Sequence, residues 1–415
     1  LNLSINQMVQ IFGTPDLDTF SDYSSLNDYP NISYHSIAHL FSCALVNDKT
    51  FYTEKMLALS VDGGSDQIVD TNVKSKYAFS GAYINAGRID IFPIPSPGIL
   101  WLIAKTYYNM QEGSLMALES ASKSVAYFPK KPFINKSMQP DHDYNQYFAD
   151  IVQFVDNLKK EDSGILFNAF DSNFTKEENK ISMVMKEIRN LSIQMIENIV
   201  DNSINRYGFN PKDTYLAMSG GFTLNCSTNS HLMRKYQFKG FQSLPCVDDS
   251  GQSLGIALYA FYKSLKNFNF NLTHAYYGEL DNNLDIVCRD DRFSSFIKNI
   301  TPFDTIQVVK DVIEYPIVWF NGASEIGPRA LGNRSILSDP RKLVSKDIIN
   351  RIKKRQWWRP VAPIILAEDA SDWFIQCDLS PFMLRTYDIQ EDKLDIIPAV
   401  SHLDNSARVQ TVTLE

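Results

Sequence analysis

The densest concentration of chemistry-bearing residues is Gly322-Ala-Ser-Glu-Ile-Gly-Pro-Arg-Ala-Leu-Gly-Asn-Arg-Ser-Ile-Leu-Ser-Asp-Pro-Arg341, which follows an apolar run of strand length from Tyr315 to Phe320. Gly327, Gly332 and the turn at Pro328 let backbone N–H groups approach a ligand closely. Arg329, Arg334 and Arg341 offer planar donors suited to a bidentate grip on phosphate or carboxylate. Lys353, Arg355 and Arg359 follow beside Trp357 and Trp358, and Arg408 falls on an alternating run near the end of the chain. A charge cluster is commonly a solvated face, but cations this close to aromatic residues and a Pro-flanked apolar strand read as a phosphate or nucleotide pocket.

A second set of residues suits a metal. In Tyr34-His-Ser-Ile-Ala-His-Leu-Phe-Ser-Cys-Ala-Leu45, the imidazoles of His35 and His39 project one turn apart from a single helix face. Asp249, in an acidic pair ahead of a small-residue helix, would make a two-His, one-carboxylate site with positions left for water or substrate. Asp62-Gly63 ends an apolar strand, where a carboxylate can hold a metal-phosphate unit or a sugar hydroxyl. Ser219-Gly220-Gly221 opens a helix whose free N–H groups could seat a phosphate. Each motif has a plainer reading, as chance spacing of two histidines or as a tight glycine turn.

Strand–turn–helix units must position these groups. They recur at Met56–Gly64, Thr214–Asn229 and Leu244–Leu258, and they point to an α/β protein with ligands at the carboxyl ends of strands. Apolar residues at three- and four-residue steps predict a long amphipathic helix from Lys180 to Asn205. The segment through Asp141-His-Asp143 reads as irregular and able to line a substrate cleft, and the charged run Arg289 to Arg292 marks a domain junction. At 415 residues and a formal charge of -8, the chain has material for two or three domains and lacks the basic excess of a nucleic-acid binder. No run has bilayer-spanning length and no signal peptide is evident, so a cytoplasmic location without membrane partners is expected. The five cysteines are scattered and suggest buried thiols.

Taken together, the motifs resemble the O-carbamoyltransferase family of nodulation-factor and antibiotic carbamoyltransferases. The resemblance rests on Glu325-x-Gly-Pro-Arg-Ala-Leu-Gly-x-Arg-Ser-Ile-Leu337, Lys353-x-Arg355 with Arg359-Pro360, Ala407-Arg-Val-Gln-Thr411, Gly220-Gly221 through Asn225, the His35/His39 pair and Asp249-x-Gly-x-Ser-Leu-Gly255. It implies an actin-like ATPase (ASKHA) domain over residues 1–300, followed by an α+β YrdC-like domain over 305–415. Both are expected to be incomplete, because the chain starts at Leu1 past a first strand and stops at Glu415 before a terminal segment. In such a protein the second domain makes carbamoyladenylate from ATP, taken with magnesium, and carbamoyl phosphate. The first transfers the carbamoyl group to a hydroxyl acceptor.

The resemblance also carries residue roles. His35, His39 and Asp249 would hold iron or zinc, while Gly220, Gly221 and Asn225, with Asp62 and Gly63, would hold the adenylate. Arg329, Arg334, Lys353, Arg355 and Arg408 would hold carbamoyl phosphate and the ATP phosphates. The acceptor is expected around Pro129 to Asp162, and a homodimer stays open. Ser114 and Ala117 depart from the lysine and glycine of the family pattern. Related readings are a tRNA threonylcarbamoyl-transfer enzyme, against which the acidic balance weighs, and a non-catalytic adenylate-binding remnant.

Overall fold

The computed structural model describes residues 12–13, 24–25, 29–65, 76–129, 144–265, 268–280 and 284–413. The chain forms two compact units, Leu1–Leu272 and Thr273–Glu415. The division falls earlier than the charged run suggested, because residues after Thr273 belong physically to the second unit. Ala275 packs with Leu331 and Met383, the Gly278 N–H donates to the Ser324 carbonyl at 2.9 Å, and Leu280 bridges to Ala323.

In the first unit, helix α1 (Tyr34–Ala44) precedes α2 (Asp48–Thr53) and a mixed sheet of β1 (Lys55–Ser60), β2 (Phe79–Asn85), β3 (Arg88–Ile94), β4 (Thr214–Ser219) and β5 (Gly240–Gln242). The strand order is β3-β2-β1-β4-β5. β1 runs parallel to β4 in the register Ser60↔Ser219 and antiparallel to β2 in the register Ser60↔Ser80, and β4 runs parallel to β5. The interiors of the two central strands are apolar because both their faces are covered, and Met56, Leu57, Ala58 and Leu59 are all fully buried. Ala86 and Gly87, both at positive φ, turn β2 into β3 in the two-residue manner that matches strand twist.

The crossover from β3 to β4 is helical. It comprises α3 (Gly98–Tyr108), α4 (Glu112–Ala121), α5 (Tyr144–Asp156) and α6 (Lys176–Tyr207). The periodic run expected at 180–205 is the interior of α6, which is 32 residues long. Its ends are set by local chemistry instead: a Thr175/Glu178 capping box starts it, and Gly208 at φ 64° stops it. Helix α7 (Cys226–Tyr236) follows β4, and α8 (Gln252–Ser264) packs against α1 so closely that a Cβ on Gly255 would lie 1.9 Å from the Ala38 carbonyl oxygen. All eleven residues of α1 are buried. Serines fix it to the sheet, with Ser36 Oγ bonded to the hydroxyls of Ser60 at 3.1 Å and Ser80 at 2.7 Å. Residues 130–143, which include the segment read as irregular, lie outside the described residues.

The second unit is α+β in composition. Helix α9 (Thr305–Glu314) leads into an antiparallel pair, β6 (Ile317–Phe320) and β7 (Arg334–Leu337). Helix α10 (Leu343–Ile352) then precedes β8 (Ile364–Leu366), which pairs in parallel with β11 (Gln410–Val412), while β9 (Tyr387–Asp388) pairs with β10 (Ser406–Ala407). Its core gathers Phe374, Tyr387, Ile389, Ile397, Val400, Ala407 and Val409.

Helix formation does not start directly at the glycine pair after β4. Gly220 takes φ 96°, which is not helical, a 3-10 turn covers Gly221–Leu224, and Asn225 caps α7 by accepting from the Thr228 N–H at 3.3 Å. A Cβ on Gly220 would also lie 2.2 Å from the Val61 carbonyl oxygen, where the chain leaves β1. Gly220→Ala is therefore expected to lower stability by about 2–3 kcal/mol, read as a shifted urea midpoint at unchanged slope; a shift under about 0.5 kcal/mol, the range of a neutral surface substitution, would mean the two strand ends are not locked together.

Candidate metal centre and anion pocket

The parallel pairing of β1 and β4 brings their carboxyl ends side by side, and α1 crosses that edge with both imidazoles aimed at it. His35 Nε2 lies 2.8 Å from Asp62 Oδ2 and 3.6 Å from Asp249 Oδ1. His39 Nε2 lies 3.3 Å from Asp249 Oδ1 and 3.6 Å from Asp62 Oδ2. One ligand atom from each of the four residues falls within 4.8 Å of the others. The expected triad of His35, His39 and Asp249 is thus brought together, and Asp62, read from sequence as a nucleotide contact, joins it as a fourth donor. The signal for that was its place at the end of a strand parallel to β4.

Bonding behind the cluster sets the histidine tautomer. Ser42 Oγ donates to the His39 carbonyl at 2.7 Å, and Ser219 Oγ is within 3.0 Å of Ser42 Oγ and 3.3 Å of the Val247 carbonyl. Ser219 can therefore donate elsewhere and accept from His39 Nδ1–H at 3.2 Å, leaving Nε2 to face the cluster. Burial alone would favour neutral His39, but Asp249 and Asp62 outweigh it and raise its pKa to about 9. Burial pushes the Asp62 carboxyl up, and hydrogen bonds from His35 and His39 more than offset this, holding it far below the usual carboxylate range. The His39 hydrogen bond likewise lowers Asp249, against its partial burial. Two imidazoles and two carboxylates in this spacing fit a divalent cation. Gln252, which sequence reasoning missed, places its amide nitrogen 3.0 Å from Asp249 Oδ1 and 2.7 Å from His35 Nδ1.

The glycine pair does not offer its amides to a phosphate. Gly221 N–H donates to Asp62 Oδ1 at 2.9 Å and Gly220 N–H to the Val247 carbonyl at 2.7 Å, so both brace the cluster. Gly63 lies against α3, where an added Cβ would meet Leu102 Cβ at 3.4 Å. Asn225 keeps a donor in reserve: its Nδ2 is buried without a partner, as are the hydroxyls of Thr223 and Thr228. Such orphaned groups are costly unless a ligand or water meets them.

In the second unit, a cavity of about 340 Å³ is lined by Arg329, Lys353, Arg355, Arg359 and Arg408, together with Gly332, Ser335 and Gln410. Among the described residues its lining contains no carboxylate. The turn after α10, with Lys354 at φ 48°, swings Lys353 and Arg355 inward. Asn350 holds that turn, accepting from Arg355 Nε at 2.6 Å and donating to the Arg359 carbonyl at 2.9 Å. Burial lowers the Lys353 pKa, and Arg355, Arg359, Arg408 and Arg329 lower it further. Burial, then Arg359 and Arg408, brings Arg355 down to about 10. Arg408 Nε is buried with no hydrogen-bond partner. Cations crowded in this way are stabilised by an anion.

Two arginines of the opening motif have other tasks. Arg334 is not part of the cavity wall: it donates to the carbonyls of Asn321, Gly322 and Asn333 and lies 4.7 Å over the Phe320 ring, closing the β6–β7 loop. Arg341 forms a two-pronged pair with Asp339. Trp357 and Trp358 lie outside the lining. Glu325, unremarked from sequence beyond its place in the motif, accepts from the N–H groups of Leu331, Asn333 and Arg334 at 2.7–3.0 Å. Despite partial burial, those donors lower its pKa.

A sequence profile described as Carbamoyltransferase C-terminus matches residues 312–415, a span that contains all five cavity cations. The chain is 33% identical over 248 residues to nodulation protein NolNO of Sinorhizobium fredii, covering 58% of this chain and 35% of that protein. It is 34% identical over 206 residues to 3'-hydroxymethylcephem-O-carbamoyltransferase of Streptomyces clavuligerus, covering 49% and 37%. Residues 312–415 thus match the C-terminal part of carbamoyltransferases, and the chain is similar to an O-carbamoyltransferase over about half its length. The chain spans less than half the length of these two curated relatives. A longer match, 26% identical over 395 residues, joins 91% of this chain to 70% of an uncharacterised protein of Methanocaldococcus jannaschii. Among solved structures, the activator of 2-hydroxyisocaproyl-CoA dehydratase from Clostridium difficile aligns at 12% identity and a TM-score of 0.31, too low to bear on the fold. No helix among the described residues is long and apolar enough to cross a membrane.

The raised pKa of His39 gives a signed expectation for metal binding. Below about pH 9 the metal-free cluster holds a proton on His39, and a cation must displace it. Zinc titrated by calorimetry in two buffers of different ionisation enthalpy should release close to one proton at pH 7.5 and almost none above pH 10. Apparent affinity should rise with pH and level off near 9. Buffer-independent heats at pH 7.5 would contradict the assignment.

Proposed function

We propose that the chain carries the working parts of an ATP-dependent O-carbamoyltransferase. The second unit, read as YrdC-like, would hydrolyse carbamoyl phosphate to carbamate and orthophosphate, and the carbamate oxygen would attack the α-phosphorus of ATP, giving carbamoyladenylate as pyrophosphate leaves. The first, read as an actin-like ATPase domain, would pass the carbamoyl group to a hydroxyl of a small molecule or sugar. The observation that carries this reading is the five-cation cavity, with no carboxylate among its described lining residues, inside the span matched by the carbamoyltransferase profile. Forming an adenylate brings two polyanions together, and positioned guanidinium and ammonium groups screen that repulsion and stabilise charge developing at phosphorus. The order β3-β2-β1-β4-β5, with β2 alone antiparallel, is the plan of an actin-like ATPase half and supports the reading of the first unit.

In the transfer step the acceptor oxygen attacks the carbamoyl carbon, the bond to the adenylate oxygen breaks, and AMP leaves as the hydroxyl proton is lost. A bound iron or zinc ion would supply Lewis acidity that organises the phosphate or carbonyl. His35, His39, Asp62 and Asp249 would hold it. Asn225 Nδ2 and the Thr223 and Thr228 hydroxyls are buried donors suited to adenylate oxygens. Arg329, Lys353, Arg355, Arg359 and Arg408 would bind carbamoyl phosphate and the ATP phosphates.

The reading separates arginines that neighbour each other in sequence. Titration with carbamoyl phosphate should show Arg408→Ala and Lys353→Ala weakening binding about tenfold or more, the loss of one charge-assisted contact. Arg334→Ala should chiefly lower the melting temperature. Equal affinities for wild type, Arg408→Ala and Lys353→Ala would sink the assignment of the cavity.

A further inference from the structure

Gln252 opens α8 three residues after Asp249, and its side chain reaches into the cluster of His35, His39, Asp62 and Asp249. The amide nitrogen lies 3.0 Å from Asp249 Oδ1, 3.3 Å from His35 Nε2 and 3.4 Å from His39 Nε2. Donor atoms bound about 2.1 Å from one ion at right angles are themselves about 3 Å apart. The amide therefore stands as far from three of the cluster's donors as a further ligand would. It is also 2.7 Å from His35 Nδ1, so it leans over that imidazole and leaves the Nε2 edge to Asp62.

Packing fixes this position. A Cβ on Gly255, one turn further along α8, would lie 1.9 Å from the Ala38 carbonyl oxygen, and Ala38 sits between the two histidines on α1. The turn that leads into α8 is held as firmly, since a Cβ on Gly251 would lie 2.0 Å from the Cys246 carbonyl oxygen. Asp249 and Gln252 flank that turn and arrive at the cluster together, on the side where Asp249 is exposed and Gln252 half-buried. The amide nitrogen donates to Asp249, which suits the cluster while it carries no cation. A half-turn about the Cγ–Cδ bond exchanges nitrogen for oxygen at the same point without moving backbone or packing. An amide oxygen is a ligand for divalent ions, whereas an N–H aimed at one repels it.

We propose that Gln252 is a fifth ligand of the metal centre, turning its Oε1 inwards when a divalent cation binds. The inference rests on the metal-centre reading of the four-residue cluster and not on carbamoyl transfer. With one atom from each residue, four donors leave two positions of a six-coordinate ion open, and five leave one. Gln252 thereby restricts a reactant to meeting the ion through a single oxygen and excludes a chelating pair.

Manganese(II) is the probe, because protons of the water bound to it relax fast and report how many waters it holds. Gln252→Met keeps the length of the side chain and removes its oxygen. Calorimetry on the full chain should show this variant binding manganese about tenfold or more weakly than the unaltered protein. Water-proton relaxation of its saturated complex should be about twofold faster, as a second water takes the place of the lost ligand. Gln252→Glu restores an oxygen and should return the relaxation to its original level, a rescue that a merely structural role would not produce. Gln252→Ala stands in for Gln252→Met, with the same expectations, if the latter fails to fold. Unchanged or tighter binding without the amide, unchanged relaxation, or faster relaxation that Gln252→Glu does not reverse would overturn the ligand assignment and leave the centre standing. Failure of the unaltered chain to bind manganese would overturn the centre and the ligand together.

Discussion

The carboxylate of Asp62 is the constraint on which the first unit's site depends. It leaves β1 at the sheet's carboxyl edge and accepts from Gly221 N–H, while its other oxygen meets His35 and His39 from α1. A strand end, a glycine turn and a buried helix are thus fixed by one charged group. Because it sits among imidazoles with little solvent, its charge has to be matched locally, and the raised pKa of His39 is the answer available without a cation. The same arrangement that holds the protein together in the absence of metal is the one a divalent ion would occupy by displacing a proton.

The second unit solves the reverse electrostatic problem. Five cations converge with no acid among the described lining residues, and the Asn350 side chain and the Pro360 carbonyl hold Arg355 in their midst. Glu325 is placed to keep the loop shaped and not to neutralise the cavity, since its oxygen is taken by three backbone N–H groups.

Much of this was legible in the chain. Apolar runs ending in Gly or Asp marked β1 and β4, three- and four-residue spacing marked α6, and the i, i+4 histidines marked α1, because each signal is local. What escaped depended on residues distant in sequence. Asp62 was read as a nucleotide contact since nothing local says that β1 lies next to β4. The glycine pair looked like a phosphate cradle because its N–H partners, Asp62 and Val247, arrive from elsewhere. Arg329 and Arg334 look alike in sequence, and only the β6–β7 hairpin shows that Arg334 turns back onto its own loop while Arg329 lines the cavity.

Carbamoyl-dependent activation of ATP is the step on which the proposed carbamoyl transfer depends. Phosphorus NMR of the protein with ATP, magnesium and carbamoyl phosphate should show pyrophosphate appearing only when carbamoyl phosphate is present, with a hydroxyl acceptor needed for AMP to accumulate beyond slow hydrolysis of the adenylate. Orthophosphate should appear alongside the pyrophosphate, released from carbamoyl phosphate, whereas ADP in place of pyrophosphate, or pyrophosphate formed equally without carbamoyl phosphate, would contradict the proposal.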